Sequence, residues 1–302
     1  SRHLPSVHRL SSLAPILVLL LFFAIPISVR SDFLLDILLT GFLFAYLGSA
    51  WNIVSGFTGQ ISVGHAFFYG IGAYATMLTY TRIGLSPWLG LLLGGLLSAL
   101  TAVILGYPLF RLRGRYYILA TWAVAEILRL TFVASKEFTG GAMGLWPRVV
   151  PDSWWHFQFH ASRAPYYNII LLLLIACLIL SWKIRYSSLG RNLLAVREDE
   201  DAAESLGINA FRCKQIALAI SGFLTAVGGG FYAQYSLFID PDTVISGQVS
   251  VDILFPAVLG GTGTVYGPCV GALLLLPVYW VLRVFLGHTP LHIVIRGILL
   301  IA

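Results

Sequence analysis

The sequence predicts an all-α, polytopic integral membrane protein. Three observations carry this. Of the 302 residues, 58% are hydrophobic and only 11% are charged, with a mean hydropathy of +0.85. A water-soluble surface needs more polar residues than that. Apolar runs approaching the ~20 residues needed to cross a hydrocarbon core recur along the whole chain. These runs are apolar all round, whereas the strands of a membrane barrel would alternate apolar and polar positions.

The elements follow in order. Leu13–Ile27 is a short first run; it carries Pro15 and Pro26 and lacks a small-x-small cleavage pattern, so it reads as a span and not as a cleavable signal peptide. Phe33–Val54, Ile61–Tyr80, Pro87–Phe110, Tyr116–Ala134, Tyr166–Trp182 and Gln215–Tyr235 are long enough to cross or nearly so. A Gly-broken region covers Val251–Phe285, and a last run starts at Leu291 and continues to Ala302. The expectation is nine or ten transmembrane helices in a single membrane domain over residues 1–302.

Charge sets the orientation. Arg2, Arg9, Arg111, Arg113, Arg115, Lys183, Arg185, Arg191, Arg197, Arg212 and Lys214 fall on one side of the predicted membrane. Arg30, Arg82, Lys136, Arg148, Arg163 and Arg283 fall on the other. The excess of Lys and Arg places the N-terminus and a 183–214 loop in the cytoplasm, and a 135–165 loop outside. The net charge of +6 is thus a topology signal. No basic cluster on a soluble face points to nucleic acid. Cys177, Cys213 and Cys269 are scattered, so neither a disulfide framework nor a metal site is expected.

Two stretches carry broken-helix chemistry. One holds Gly56 and Gly59 and runs on to Gly64; the other holds Gly260, Gly261 and Gly263 and runs on to Gly267. Non-helical backbone at membrane depth survives only against protein or a watery cavity. Paired discontinuous helices point to a transport pathway. Their similarity suggests an internal repeat, although Gly-rich turns also recur by chance. Gly90 with Gly94, and Gly267 with Gly271, have the small-xxx-small spacing of close helix packing.

Polar residues inside the spans are costly and mark candidate sites. Glu126 and Arg129 stand three apart on one helix face, where they either neutralise one another or serve the pathway. His65 lies near Gln60 and Ser62, and a lone histidine there is more often a hydrogen-bonded packing residue than a ligand. Asn52, Asp36 and Asp252 lie near span ends or breaks. In the 135–165 loop, Trp146, Trp154 and Trp155 suit the membrane interface. No nucleophile–base set, zinc motif or Gly-Lys-Ser/Thr phosphate loop is present, so the chain reads as a non-enzyme with no ATP site of its own.

The most polar stretch is LGRNLLAVREDEDAAESLGIN, Leu189 to Asn209. It concentrates Glu198, Asp199, Glu200, Asp201 and Glu204, five of the chain's 13 acidic residues, within seven positions. Acids at a helix start favour the helix through its dipole, and Gly207 is a natural stop. Ala202, Ala203 and Leu206 would leave a small apolar patch. The segment is either a docking handle for a soluble partner or a solvated linker.

The pattern from Gly190 to Ile208, G-R-x-x-x-A-x-R-E-x-E-x-A-A-E-x-L-G-I, resembles the cytosolic coupling segment of branched-chain amino-acid ABC permeases of the LivM type. Gly59-Gln60-Ile61-Ser62-Val63-Gly64-His65-Ala66, Ala125-Glu126-Ile127, Thr139-Gly140-Gly141 and Leu259 to Pro268 agree with the same family. Val63, Asp199 and Met143 stand where that family usually has Leu, Asn and Asn. The resemblance implies a bacterial inner-membrane importer. Its parts would be this permease, a homologous LivH-type permease, two cytosolic ATPase subunits holding ATP and Mg, and a periplasmic solute-binding protein. Gly190, Arg191, Arg197, Glu198, Glu200, Ala202, Ala203, Glu204, Leu206 and Gly207 would couple to the ATPase. Asn52, Gln60, Ser62, His65, Glu126 and Thr139 would be the polar points of a mostly apolar pathway through the lipid bilayer. The implied solute is a branched-chain or other hydrophobic amino acid. The same motifs also admit urea, amides or other small solutes, and an ion-coupled carrier is the rival outside the family.

Overall fold

The computed structural model describes residues 31–275 together with Pro26. The expected spans Leu13–Ile27 and Leu291–Ala302 therefore lie outside the described residues, apart from Pro26. Every named element is helical. The helices are α1 (Asp32–Thr58), α2 (His65–Leu78), α3 (Pro87–Leu109), α4 (Arg115–Ala134), α5 (Lys136–Thr139), α6 (Ala164–Tyr186), α7 (Ser188–Glu198), α8 (Glu200–Ser205), α9 (Ala210–Ser236), α10 (Pro241–Ile245) and α11 (Gly247–Gly260). Residues 267–275 are helical again.

Among the described residues, six helices are long and apolar enough to cross a membrane: α1, α3, α4, α6, α9 and the α10–α11 pair taken as Pro241–Gly260. The expectation of nine or ten also counts runs outside the described residues; within them the one expected span that does not form is Ile61–Tyr80. The Ile61–Tyr80 run does not become one continuous helix. Residues 60–64 run without helical hydrogen bonding, so α2 starts only at His65 and has 14 residues. It then loosens into a π-helical turn, Thr79–Ile83, ended by Gly84 at φ +74°. At the other end, the break near Gly260 follows a helix that begins at Pro241, ten residues ahead of the expected Val251. Asp240 caps that start through a reciprocal pair with Thr243, and Ser246 interrupts it with extended backbone.

The core is built around α9, which packs on α1, α2 and α3, while α1 also packs on α6 and α11. Trp51, Tyr46, Tyr74, Tyr117, Tyr166 and Phe231 are fully buried there. Small residues permit this. A Cβ on Gly72 would overlap the Ala226 carbonyl, and one on Gly229 would overlap that of Tyr69, so α2 and α9 touch backbone to backbone. By contrast α3 and α4 turn large apolar side chains outward, among them Leu96, Ile104, Leu119 and Ile127. Such faces suit hydrocarbon, which has no polar partner to offer.

The 135–165 segment is a folded cap. Leu145 and Ile239 exchange two backbone bonds, Ser86 donates to the Trp155 carbonyl, and Trp88 donates to that of Trp154. Asp152 accepts from the His160 and Ala161 amides at 2.7 and 3.1 Å, which hold its carboxyl below the usual carboxylate range. The 183–214 segment is also more ordered than a loop. Its ends belong to α6 and α9, and α7 and α8 fill most of what lies between.

Candidate coupling and translocation site

The two broken-helix stretches and the charged segment, far apart in sequence, meet at one place. At the end of α1, Gly59 adopts φ +75°, a left-handed cap that reverses the chain. Residues 60–64 then run back beside α1 without helical hydrogen bonding, and each polar group needs a partner. Ser62 donates its amide to Ser55 Oγ at 3.2 Å and accepts Trp51 Nε1–H at 2.7 Å. The Val63 amide donates to Thr121 Oγ1 and that of Ala66 to Ser250 Oγ. Gly64 must be glycine, because a Cβ there would overlap the Thr121 carbonyl of α4.

Asn52 fixes the second stretch to the first. Its Oδ1 accepts the Gly263 amide at 2.7 Å, and its Nδ2 donates to the Thr264 carbonyl at 2.8 Å. The side chain thus mimics a backbone pair across 211 residues. Gly263, at φ +81°, and Gly56 lie too close together for either to carry a Cβ without overlap or strain. Gly260 and Gly267 press on each other in the same way, and Gly261 takes φ +105°. Gly56 is not itself a break; it lies inside α1. The two breaks also differ in backbone, a left-handed cap at Gly59 against φ +105°, ψ +105° at Gly261, so the suggested internal repeat finds no support in their geometry.

Arg197 brings in the charged segment. From the end of α7 its Nη1 donates to the Gly56 carbonyl at 2.7 Å, and the guanidinium lies against Gly263. The Arg197 stem also borders Gly59, where a Cβ would sit 3.0 Å from Arg197 Cγ. One side chain therefore touches both breaks.

The acidic cluster divides into two groups. Asp199 caps α8 by accepting the Ala202 amide at 3.0 Å. Glu200 turns inward, 2.6 Å from Lys214 Nζ, and the Lys214 side chain is 2% exposed. Arg113, from the turn after α3, reaches Asp201 at 3.1 Å and Glu200 at 4.0 Å. Ala203 is buried, and Gly190 sits too close to the Ile184 carbonyl for any side chain. What faces outward is Arg191, Glu198, Ala202, Glu204, Gly207 at φ +84° and Leu206, which is 83% exposed. Sequence reasoning missed Lys214 and Arg113 because both look like ordinary topology charges. An acidic cluster that exceeds its neighbouring cations was the one available signal.

Three of the six expected pathway residues, Asn52, Ser62 and His65, lie buried in this crossover. Ser221 Oγ donates to the Ala50 carbonyl at 2.7 Å, so it accepts from His65 Nε2–H at 2.9 Å. His65 Nδ1 then accepts Ser62 Oγ–H at 3.1 Å. This fixes a neutral tautomer and ties α2 to α9. Gln60 is half-buried beside them, and its Oε1 has no partner among the described residues. Glu126 and Thr139 lie apart from the crossover. Arg129 Nε meets both Glu126 oxygens at 3.0 Å while Nη1 reaches Asp242 at 2.6 Å, so the pair ties α4 to α10. Thr139 bonds the Ser135 carbonyl at 2.9 Å and closes the turn into the 135–165 cap.

A family model described as "Branched-chain amino acid transport system / permease component" matches residues 33–302. The chain belongs to this family. It is 31% identical over 261 residues to the high-affinity branched-chain amino acid transport permease LivM of Salmonella typhimurium, covering 80% of this chain and 61% of that protein. It is 26% identical over 250 residues to the permease LivH of Escherichia coli, covering 78% and 80%. A nucleoside ABC transporter permease, NupC of Lactococcus lactis, is 26% identical over 212 residues, covering 65% and 62%. The chain thus spans about three-fifths of the length of its LivM relatives. No solved structure matches. Membership together with the six long apolar helices makes the chain a multi-pass membrane protein of a permease-component family.

Proposed function

We propose that this permease is one of two membrane subunits of an ATP-driven importer for branched-chain or similar hydrophobic amino acids. It sits in the bacterial inner membrane with its N-terminus in the cytoplasm. Its companions are a homologous LivH-type permease, two ATPase subunits that hold ATP and Mg, and a periplasmic binding protein. α8 and the outward-facing Glu204 and Leu206 dock on the ATPase. The observation that carries this reading is Arg197, which links the charged segment to both helix breaks.

By this reading, ATPase closure moves α7–α8, and Arg197 passes the movement to the crossover at Gly56 and Gly263. Such a device works by contacting two states differently, and it needs no ATP site in this chain. The solute passes between the two permeases along a mostly apolar wall, with Gln60 and the Glu126–Arg129 pair as polar points. The LivM and LivH names support a branched-chain solute; the NupC name supports a second reading in which the same machinery carries another small organic molecule.

The test is uptake of labelled leucine into proteoliposomes holding the permease pair, the ATPase and the binding protein. The expected result is uphill uptake that needs ATP and stops on replacing Leu206 and Glu204 with Ala and Lys. Uphill uptake by this chain without any ATPase would refute the proposal.

A further inference from the structure

Away from the crossover, α2, α3 and the end of α4 enclose an apolar crevice of about 490 Å³, a volume usual for small-molecule sites. Ile71, Leu78, Leu93, Leu97, Phe132 and Phe138 form most of its wall. Leu93, Leu97 and Phe138 are also 45%, 48% and 56% exposed, so the crevice opens sideways between the helices. Water there would find almost no hydrogen-bond partner. In a bilayer, the medium at that opening is hydrocarbon.

The rim is different. Arg82, on the π-helical turn that ends α2, also lines the crevice. Its Nη2 donates to the Phe138 carbonyl at 2.8 Å and to that of Glu137, and its guanidinium lies 5.0 Å from the Phe138 ring centre. The group is thereby held in place. No carboxylate pairs with it, and its Nε and Nη1 make no hydrogen bond, among the described residues. It stands where α2 ends and the 135–165 cap begins, the level at which Arg side chains meet lipid head groups. A fixed cation with a free edge over an apolar slot matches a phosphodiester joined to a hydrocarbon chain.

We propose that this crevice is a binding site for an anionic phospholipid. One acyl chain fills the slot between α2, α3 and α4, and the phosphate bonds Arg82 through Nε and Nη1. A net negative head group is favoured because Arg82 brings an uncompensated charge. The occupant would brace α4, whose outward face packs little against the rest of the chain. This rests on the membrane location alone and is independent of which solute is carried.

The purified full chain is exchanged into lipid nanodiscs of phosphatidylcholine or phosphatidylglycerol, released, and weighed by native mass spectrometry. The expected result is retained phosphatidylglycerol in preference to phosphatidylcholine. Arg82→Gln should cut that preference about fivefold, and Leu97→Trp, which fills the slot, should reduce retention of both lipids. Leu93→Trp repeats the filling test from a second wall position if Leu97→Trp does not fold. Equal retention of the two lipids by the unaltered chain would overturn the proposal. So would unchanged retention in folded variants, or full displacement by free glycerol 3-phosphate, which would mean recognition of the head group alone.

Discussion

Arg197 Nη1 donates to the Gly56 carbonyl at 2.7 Å across 141 positions of sequence. The bond crosses from the most charged stretch of the chain into a buried turn of the long apolar helix α1. A hydrogen bond with a charged donor contributes roughly 1.5–3 kcal/mol. Arg197→Met keeps the length of the side chain and removes the donor. Leucine uptake by the assembled importer should fall about tenfold or more, while the ATPase still co-purifies. Full uptake by a folded Arg197→Met chain would show that the contact carries no movement.

Glu200 and Lys214 behave as one unit. Removing one member of a buried pair leaves the other charge uncompensated, at roughly 3–5 kcal/mol. Arg113 and the partial exposure of Glu200 soften this, so Glu200→Gln should cost about 2 kcal/mol. Lys214→Met combined with Glu200→Gln should recover most of it. A thermal or denaturant double-mutant cycle in detergent measures the coupling; additive losses would remove the pair from the account.

Gly56 and Gly84 separate two reasons for glycine. Gly84 has φ +74° but open space around it, so Gly84→Ala should cost only the left-handed backbone penalty, about 1 kcal/mol. Gly56 has an ordinary helical backbone but no room, because its Cβ would meet Asn52 and the Gly263 amide. Gly56→Ala should cost about 3 kcal/mol through overpacking and the loss of the Asn52 bonds. Comparison of the two unfolding midpoints decides; equal losses would contradict the crossover geometry.

Asp152 gives a pH dependence. Its folded-state carboxyl is lowered by the His160 and Ala161 amides, so its contribution is present above the ordinary carboxylate value of about 3.9. That contribution is lost as pH falls through the lower folded value. Amide exchange at His160 and Ala161, corrected for intrinsic rates, should therefore quicken below about pH 4. In Asp152→Asn it should be fast throughout and show no such step. A step that survives in Asp152→Asn would assign it to another group.

The sequence makes the membrane character, the two breaks and the polar segment legible, because each rests on local composition. It does not reveal which way a charge points. Glu200 and Glu204 look alike in the acidic run, yet Glu200 closes on buried Lys214 while Glu204 faces out. Arg197 reads as a surface docking residue and instead reaches the α1 carbonyl. Asn52 reads as a polar point near a break, and its bonds to Gly263 and Thr264 could not be read from sequence. Each of these depends on a partner more than ten positions away, which periodicity cannot supply. The Ile61–Tyr80 run fell short of a span for a related reason: residues 61–64 sit in an apolar stretch, but side chains from α1 and α4 claim their backbone.

The 27-residue helices α1 and α9 have a mechanical consequence. At 1.5 Å per residue each is about 40 Å long, some 10 Å more than a typical hydrocarbon layer. They must lean or project, and a thicker bilayer lets them stand straighter. Because α1 carries Gly56 and α9 carries Lys214, membrane thickness pulls on the same two anchor points that the charged segment grips from the water. On the proposed coupling, lipid chain length would be a second, purely physical hand on the same movement.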